Sequence, residues 1–222
     1  MKRLAYASIA LTLSLCGCAT SQAPVPPADF WAPDLESLSR CGDGLVISIR
    51  GPLFRMMMDE GCERVLNSLN GTFDLELDDL SFAAPMRRVD GNLSFRENPF
   101  PSFRGLERLE SVGSTFGTSD VPGLRDATGL NNLRLVEGSL DFFQNPQLRS
   151  LAGLERLERV GGLYIVRNPV LEDLDGLSGL RRVDGDVQII DNPGLTQEEI
   201  DEFLGHVEVT GRVMLAYDPF PP

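Results

Sequence analysis

The sequence predicts a repeat solenoid in which short parallel strands stack on one another, and three observations predict it. Valines recur at Val89, Val112, Val136, Val160 and Val183, at intervals of 23, 24, 24 and 23 residues. Each is followed, across a glycine-containing link, by a short alternating pair: Leu93/Phe95, Phe116/Thr118, Leu140/Phe142, Leu163/Ile165 and Val187/Ile189, with a sixth pair, Val213/Leu215, after Val209. A proline turn comes next (Asn98-Pro99, Val121-Pro122, Asn145-Pro146, Asn168-Pro169, Asn192-Pro193, Asp218-Pro219), and then a leucine-rich return such as LRSLAGLERLERV over 148–160.

The pair makes a strand too short to fold alone. Stacked about 4.8 Å apart, however, such strands bury their apolar side against the return and bond to the rungs above and below, which gives a parallel sheet. Proline fixes its own φ and restricts the residue before it, which suits a sharp exit from the strand. The asparagines Asn98, Asn145, Asn168 and Asn192 are expected to form a turn ladder, their side chains satisfying backbone groups of adjacent turns. Val121 breaks that ladder, so the second rung is expected to be irregular there. Upstream, 44–49 (GLVISI) and 72–77 (TFDLEL) read as further strands. Between them PLFRMMMDEG (52–61) has proline at a helix start and glycine at its end, and reads as a cap over the open first rung. At the other end Thr196-Gln197-Glu198-Glu199 is a capping box that opens a helix through Leu204.

The first residues predict export. Lys2 and Arg3 precede an apolar run, Leu4 to Leu15, that is too short to span a bilayer. Leu15-Cys16-Gly17-Cys18 resembles the bacterial lipobox, which implies cleavage before Cys18 and lipidation of its sulfur and new amino terminus. A competing register, Leu13-Ser14-Leu15-Cys16, puts bulky Leu15 where a small residue is wanted; plain secretion with cleavage near Ala19 is the other reading. The expected divisions are a lipoprotein signal peptide over 1–17, a lipidated proline-rich tether over 18–39 that includes Trp31, and a solenoid domain over 40–219. The expected location is the bacterial cell envelope, at the outer membrane, held by the lipid anchor. Cleavage leaves 18 arginines against 33 acidic residues, a net of −15 where the whole chain carries −13. Cys41 and Cys62 remain, and an isolated pair in an exported chain reads as a disulfide.

The pattern V-x-G-x-L-x-I-x-x-N-P-x-L-x-x-L-x-G-L resembles the receptor L domain, the leucine-rich-repeat-like solenoid of insulin- and epidermal-growth-factor-receptor ectodomains. The likeness covers about residues 40 to 219 and extends to solitary copies of that domain in bacterial lipoproteins. It implies a right-handed, leucine-rich-repeat-like or β-helix-like coil with a parallel sheet of short strands, an N-terminal capping helix and a C-terminal helix. It also implies a Cys41–Cys62 disulfide. Residues 66–71 (LNSLNG) read as an insertion relative to that pattern, and the receptors' cysteine-rich modules and kinase have no counterpart here. Fold transfers from such a likeness; ligand identity does not.

Composition narrows function further. A net charge of −13 argues against nucleic acid, whose phosphates need clustered cations. Apart from Lys2 every basic residue is arginine, so no Schiff-base lysine is expected in the mature chain. No G-x-S-x-G, phosphate-binding glycine loop or H-E-x-x-H occurs, and His206 is the one histidine. No metal or cofactor is expected: two cysteines and one histidine fall short of a closed zinc site. The acidic groups Asp74, Glu76, Asp78, Asp79 and Glu172, Asp173, Asp175 match no calcium-loop pattern and read as solvated charge. On each rung one outward column runs Ser94, Gly117, Asp141, Tyr164, Gln188, Met214, and the next Arg96, Ser119, Phe143, Val166, Ile190, Ala216. The candidate ligand-binding residues are Phe143, Tyr164, Val166, Ile190 and Met214, an apolar stripe on the face where solenoids bind. A cover of loops over them would make them core instead. A third column, Glu97, Asp120, Gln144, Arg167, Asp191, reads as a solvated rim. The sequence thus points to a recognition or adhesion module for a protein or glycan. A structural envelope lipoprotein that stacks on itself or a neighbour is the alternative, and a carbohydrate-active enzyme working through paired carboxylates is a residual one.

Overall fold

The computed structural model describes residues 63–65, 68–72 and 80–216. Cys18, Cys41, Cys62, Trp31, the strand expected over 44–49, all but the first residue of the strand expected over 72–77, the helix expected over 52–61 and the turn at Asp218 lie outside them. The described residues form a parallel, open β-sheet with few helices, compatible with a solenoid-like repeat. In chain order the strands are β1 (Arg64–Val65), β2 (Leu69–Thr72), β3 (Arg88–Val89), β4 (Leu93–Arg96), β5 (Ser111–Val112), β6 (Phe116–Ser119), β7 (Leu135–Phe143), β8 (Arg159–Val166), β9 (Arg182–Val183), β10 (Val187–Ile190), β11 (Glu208–Val209) and β12 (Val213–Ala216).

Two columns of pairing run through them. The first aligns Val65, Val89, Val112, Val136, Val160, Val183 and Val209. The second aligns Leu69, Leu93, Phe116, Leu140, Leu163, Val187 and Val213. Strands β7 and β8 belong to both, with a register shift between Val136 and Ser139 where the chain bends from one column to the other. The pairing differs from the sequence reading at one place. β2 ends where a strand was expected to begin, and Leu69 pairs with Leu93 at the same offset as Val65 with Val89. Residues 69–72, most of which the sequence reading took as an insertion, are therefore a paired strand of the repeat.

The returns explain their leucines. Leu154 N–H donates to Leu151 O and Leu157 N–H to Leu154 O, and the same three-residue closure recurs at Leu106/Leu109, Leu130/Leu133 and Leu177/Leu180. Such a 3₁₀-type run stacks residues three apart on one side, so Leu151, Leu154 and Leu157 all point into the core and are fully buried. The N-terminal part of the core is aromatic instead: Phe95, Phe100, Phe103 and Phe116 pack with ring centroids 5.3–6.2 Å apart. In the last described repeat the return is a helix, α1 (Gln197–His206). Thr196 and Glu199 close its capping box, and Phe203 anchors it to the core.

Each strand leaves the sheet through one left-handed residue, with φ of 53° to 58° at Glu97, Asp120, Gln144, Arg167 and Asp191. None of these is glycine, so Glu97, Gln144 and Arg167 each cost about 1–2 kcal/mol, and Asp120 and Asp191 less because a short polar side chain tolerates this region better. The conformation is held by the sheet, since Gln144 N–H donates to Val166 O and Arg167 N–H to Ile190 O, both at 2.9 Å. The buried asparagines follow. Asn168 Oδ1 accepts from Asn145 N–H at 3.1 Å and Asn192 Oδ1 from Asn168 N–H at 2.9 Å, while Asn145 Oδ1 accepts from Val121 N–H at 3.3 Å. Their amide groups donate in turn: Asn168 Nδ2 to Phe142 O, Asn192 Nδ2 to Ile165 O, and Asn145 Nδ2 to Thr118 Oγ1. This last bond accounts for a threonine at a core position, where Thr118 is 2% exposed. Val121 extends no ladder of its own and packs into the core.

Outside, charge is ordered by the same repeat. Two residues before the first six aligned valines the chain reads Glu63, Arg87, Glu110, Arg134, Glu158, Arg181, alternating in sign. Arg87 pairs with Glu110 at 2.6 Å and Arg134 with Glu158 at 3.2 Å. These exposed pairs add little stability each, but like charges stacked in neighbouring strands would repel.

Truncating the ladder leaves buried backbone groups without partners, at about 1–3 kcal/mol for each group. Asn168→Ala is expected to lower the unfolding free energy by at least that much in urea titration, with an unchanged m-value. A loss below about 0.5 kcal/mol would mean that the ladder bonds carry no net stability.

Candidate functional site

The sheet's register decides which side chains share its outer surface. Asp141, Tyr164, Gln188 and Met214 are adjacent in one column, and Phe143, Val166, Ile190 and Ala216 in the next. Phe143 is 37% exposed, Ala216 is exposed, and Val166, Ile190, Tyr164 and Met214 are half-buried. The five candidate residues therefore sit together on one continuous surface, and no described segment buries them. At β12 the inward positions are open as well: Val213 is 43% and Leu215 40% exposed, whereas their counterparts Val187 and Ile189 are buried.

Polar groups frame this surface. Arg96 pairs with Glu97 and Arg167 with Asp191, each at 3.3 Å. Asp141 and Asp120 take part in no ion pair among the described residues. Asp120 accepts a hydrogen bond from the Ser119 hydroxyl at 2.8 Å. Burial pushes the Asp141 carboxyl above its ordinary range, a hydrogen bond with Ser139 pulling the other way. Its Oδ1 is covered and accepts no hydrogen bond among the described residues. Beside it lies Gly117, its register partner in β6, which is also buried. Sequence reading placed Gly117 and Asp141 in the outward column without assigning them a role. The signal available was a glycine inside a strand, next to an acid.

The rim column is the left-handed corner described above. With Pro122, Pro146 and Pro169 it borders a shallow surface groove of about 490 Å³ that also includes Asp120, Gln144, Arg167 and Asp191. In the return after Asn168-Pro169 the Asp173 carboxyl is also raised, first by burial and further by the charges of Asp175 and Glu199. Among the described residues no group of three or more His, Cys, Asp or Glu is placed to hold a metal ion, and no helix is long and apolar enough to cross a membrane.

The chain matches no protein-family model, no curated protein and no solved structure. What it does must be argued from its own surface.

Two expectations follow from the local geometry. A Cβ added at Gly117 would meet nothing closer than 3.6 Å, whereas one at Gly129 would lie 2.1 Å from Phe103 O on a backbone with φ of +109°. Gly117→Ala is expected to keep or raise stability by about 0.5 kcal/mol, and Gly129→Ala to cost about 1–3 kcal/mol, read from denaturant midpoints. Equal effects would refute the contrast.

The second concerns pH. The folded Asp141 carboxyl titrates above its unfolded value, so its charge costs stability above the folded pKa, and that cost is relieved as pH falls to the unfolded value of about 3.9. Asp141→Asn is therefore expected to raise the thermal midpoint at pH 7, with the gain shrinking on acidification. A gain that grows toward low pH would contradict the assignment.

Proposed function

We propose that this chain is a membrane-anchored, extracytoplasmic recognition or adhesion module that binds a protein or a glycan through the outer surface of its sheet. One observation carries the reading: Phe143 stands exposed beside Val166 and Ile190 on a face whose register holds them in line. A contiguous apolar patch rimmed by polar groups marks an interaction surface more often than a solvated one. Burying each of these side chains would contribute about 1.5–3 kcal/mol, and a preformed sheet loses little order on binding. The repeat pattern supports a right-handed solenoid of the receptor L type, with α1 in its last return. The leader and Leu15-Cys16-Gly17-Cys18 support a lipid anchor at Cys18 on the bacterial envelope, at the outer membrane, and the Cys41 and Cys62 pair supports a disulfide near the start of the domain.

A structural role is the second reading, favoured by Val213 and Leu215 at β12. Those side chains sit at inward positions yet remain exposed, on an edge strand with no charge or proline to discourage pairing. In that reading copies or neighbours stack on the end of the sheet.

The experiment compares the full chain with a Phe143→Asp, Val166→Asp, Ile190→Asp variant in envelope preparations, circular dichroism checking that both fold. The recognition reading expects crosslinked partners of the parent to be lost in the folded variant. Retention of all partners would move the structural reading ahead, and a variant that does not fold would make the stripe core. A separate check of the anchor is phase partitioning in Triton X-114. The full chain is expected in the detergent phase and Cys18→Ser in the aqueous phase, and equal partitioning would refute lipidation at that residue.

A further inference from the structure

Strand β12 pairs only with β10 among the described residues. Its inward side chains Val213 and Leu215 are 43% and 40% exposed, where Val187 and Ile189 are buried. An edge strand with open apolar positions is a pairing hazard, and a solenoid needs a cap at its end. The corner beside it is open too. Val121, Asn145 and Asn168 each donate their backbone N–H to the ladder asparagine of the following repeat. The next donor in the series is the Asn192 N–H. It donates to no group among the described residues, although Asn192 is only 5% exposed. A buried backbone donor is costly without an acceptor.

The sequence beyond β12 supplies both an acceptor and an apolar cover. Ala216 is the register partner of Ile190 and Ile190 of Val166, so Asp218 follows its strand at the same distance as Asn192 and Asn168 follow theirs. A carboxylate accepts from a backbone N–H as an asparagine oxygen does. Pro219 comes next, as a proline follows each ladder asparagine, and then Phe220. The residues at that position in the other turns are Phe100, Gly123, Gln147, Val170 and Gly194. Asp218-Pro219-Phe220-Pro221 therefore repeats Asn98-Pro99-Phe100-Pro101 and no other turn. Phe100 is fully buried and stands edge-on to Phe95, with ring centroids 5.3 Å apart. Phe95 belongs to the column that runs through Thr118, Phe142, Ile165 and Ile189 to Leu215.

We propose that residues 217–222 plug this end of the coil: Asp218 accepts the Asn192 N–H as the next rung of the ladder, and Phe220 covers Leu215 and Val213 as Phe100 covers Phe95. The reach is sufficient, because Phe220 lies five residues past Leu215, the separation of Phe100 from Phe95. A charged acceptor also makes the stronger bond to a backbone N–H. The plug concerns the end of the coil and stands apart from the reading of the sheet face. It bears on stacking instead. The two side chains that would invite a second copy are covered from within the chain, so the end becomes adhesive only when the plug is displaced, and partners are left the sheet face.

The test follows the full chain in detergent micelles, together with Asp218→Ala, Asp218→Asn and Phe220→Ser. It reads hydrogen exchange at the Asn192 amide, Overhauser contacts from the Phe220 ring to the Leu215 and Val213 methyls, and sedimentation as concentration is raised. In the parent the Asn192 amide is expected to exchange at least tenfold more slowly than that of exposed Gly194, with the ring contacts present and the mass constant. Asp218→Ala is expected to speed exchange at Asn192 at least tenfold, and Asp218→Asn, which keeps the acceptor, to leave it slow. Phe220→Ser is expected to lose the ring contacts and to gain mass with concentration. An unprotected Asn192 amide in the parent, or exchange unmoved by Asp218→Ala, would overturn the rung. Absence of the ring contacts in the parent would overturn the plug, and a parent that associates through β12 would give this end to a second copy. If a variant does not fold, exchange and ring contacts in the parent decide the matter.

Discussion

A chain that turns in the protein interior must find partners for the backbone groups at every corner, and here an asparagine at the exit of each of three successive strands supplies them. Asn145, Asn168 and Asn192 are buried at the exits of successive strands, each accepting from a backbone N–H of the preceding turn and donating to carbonyls or a hydroxyl around it. The requirement is strict because an unpaired buried polar group costs as much as several favourable contacts return. It also works in one direction: each asparagine serves the repeat before it, so the interactions hold only when neighbouring repeats are in register. The left-handed corner residues are held by the same stacking, their N–H groups bonded to the next strand.

Register, once held this way, determines the rest. It brings the valines of β3, β5, β7, β8 and β9 into one buried line and turns the three-residue leucine spacing of the returns inward. It sets oppositely charged residues beside each other along the outer column from Glu63 to Arg181, where a slip of one repeat would leave the pattern reversed but still alternating. The outer surface of the sheet inherits its order too. Phe143, Val166 and Ile190 are aligned by backbone bonds formed for other reasons, which is why a partner could dock on them without first ordering the surface.

Much of this was legible because a stacked repeat puts the same residue type in the same environment each time. The 23- and 24-residue valine spacing is the observed pairing, and Asn before Pro coincides with the buried corner. The exceptions have physical causes. Strand β2 is Leu-Asn-Gly-Thr, with little alternation, so no local pattern marked it as a strand; pairing with β4 forms it. Glu97, Asp120, Gln144, Arg167 and Asp191 show no common side-chain chemistry, because their left-handed backbone is imposed by the sheet rather than by their own preference. The columns of the candidate face could be written down from the sequence, but exposure could not, since it depends on where the following loop runs. Gly117 was hidden for a related reason: among so many glycines, only coordinates distinguish those that packing demands from those, such as Gly117 and Gly205, that it does not.

The central claim is that the asparagine corners are interior hydrogen-bonded structure on which the stacking depends. Native-state hydrogen exchange at the backbone amides of Val121, Asn145 and Asn168 tests it most directly, because the side chains of the ladder accept from those three groups. The account predicts that they exchange only through global unfolding, with protection equal to that of core amides in β7 and β8. Exchange at rates typical of surface turns, while β7 and β8 stay protected, would contradict it.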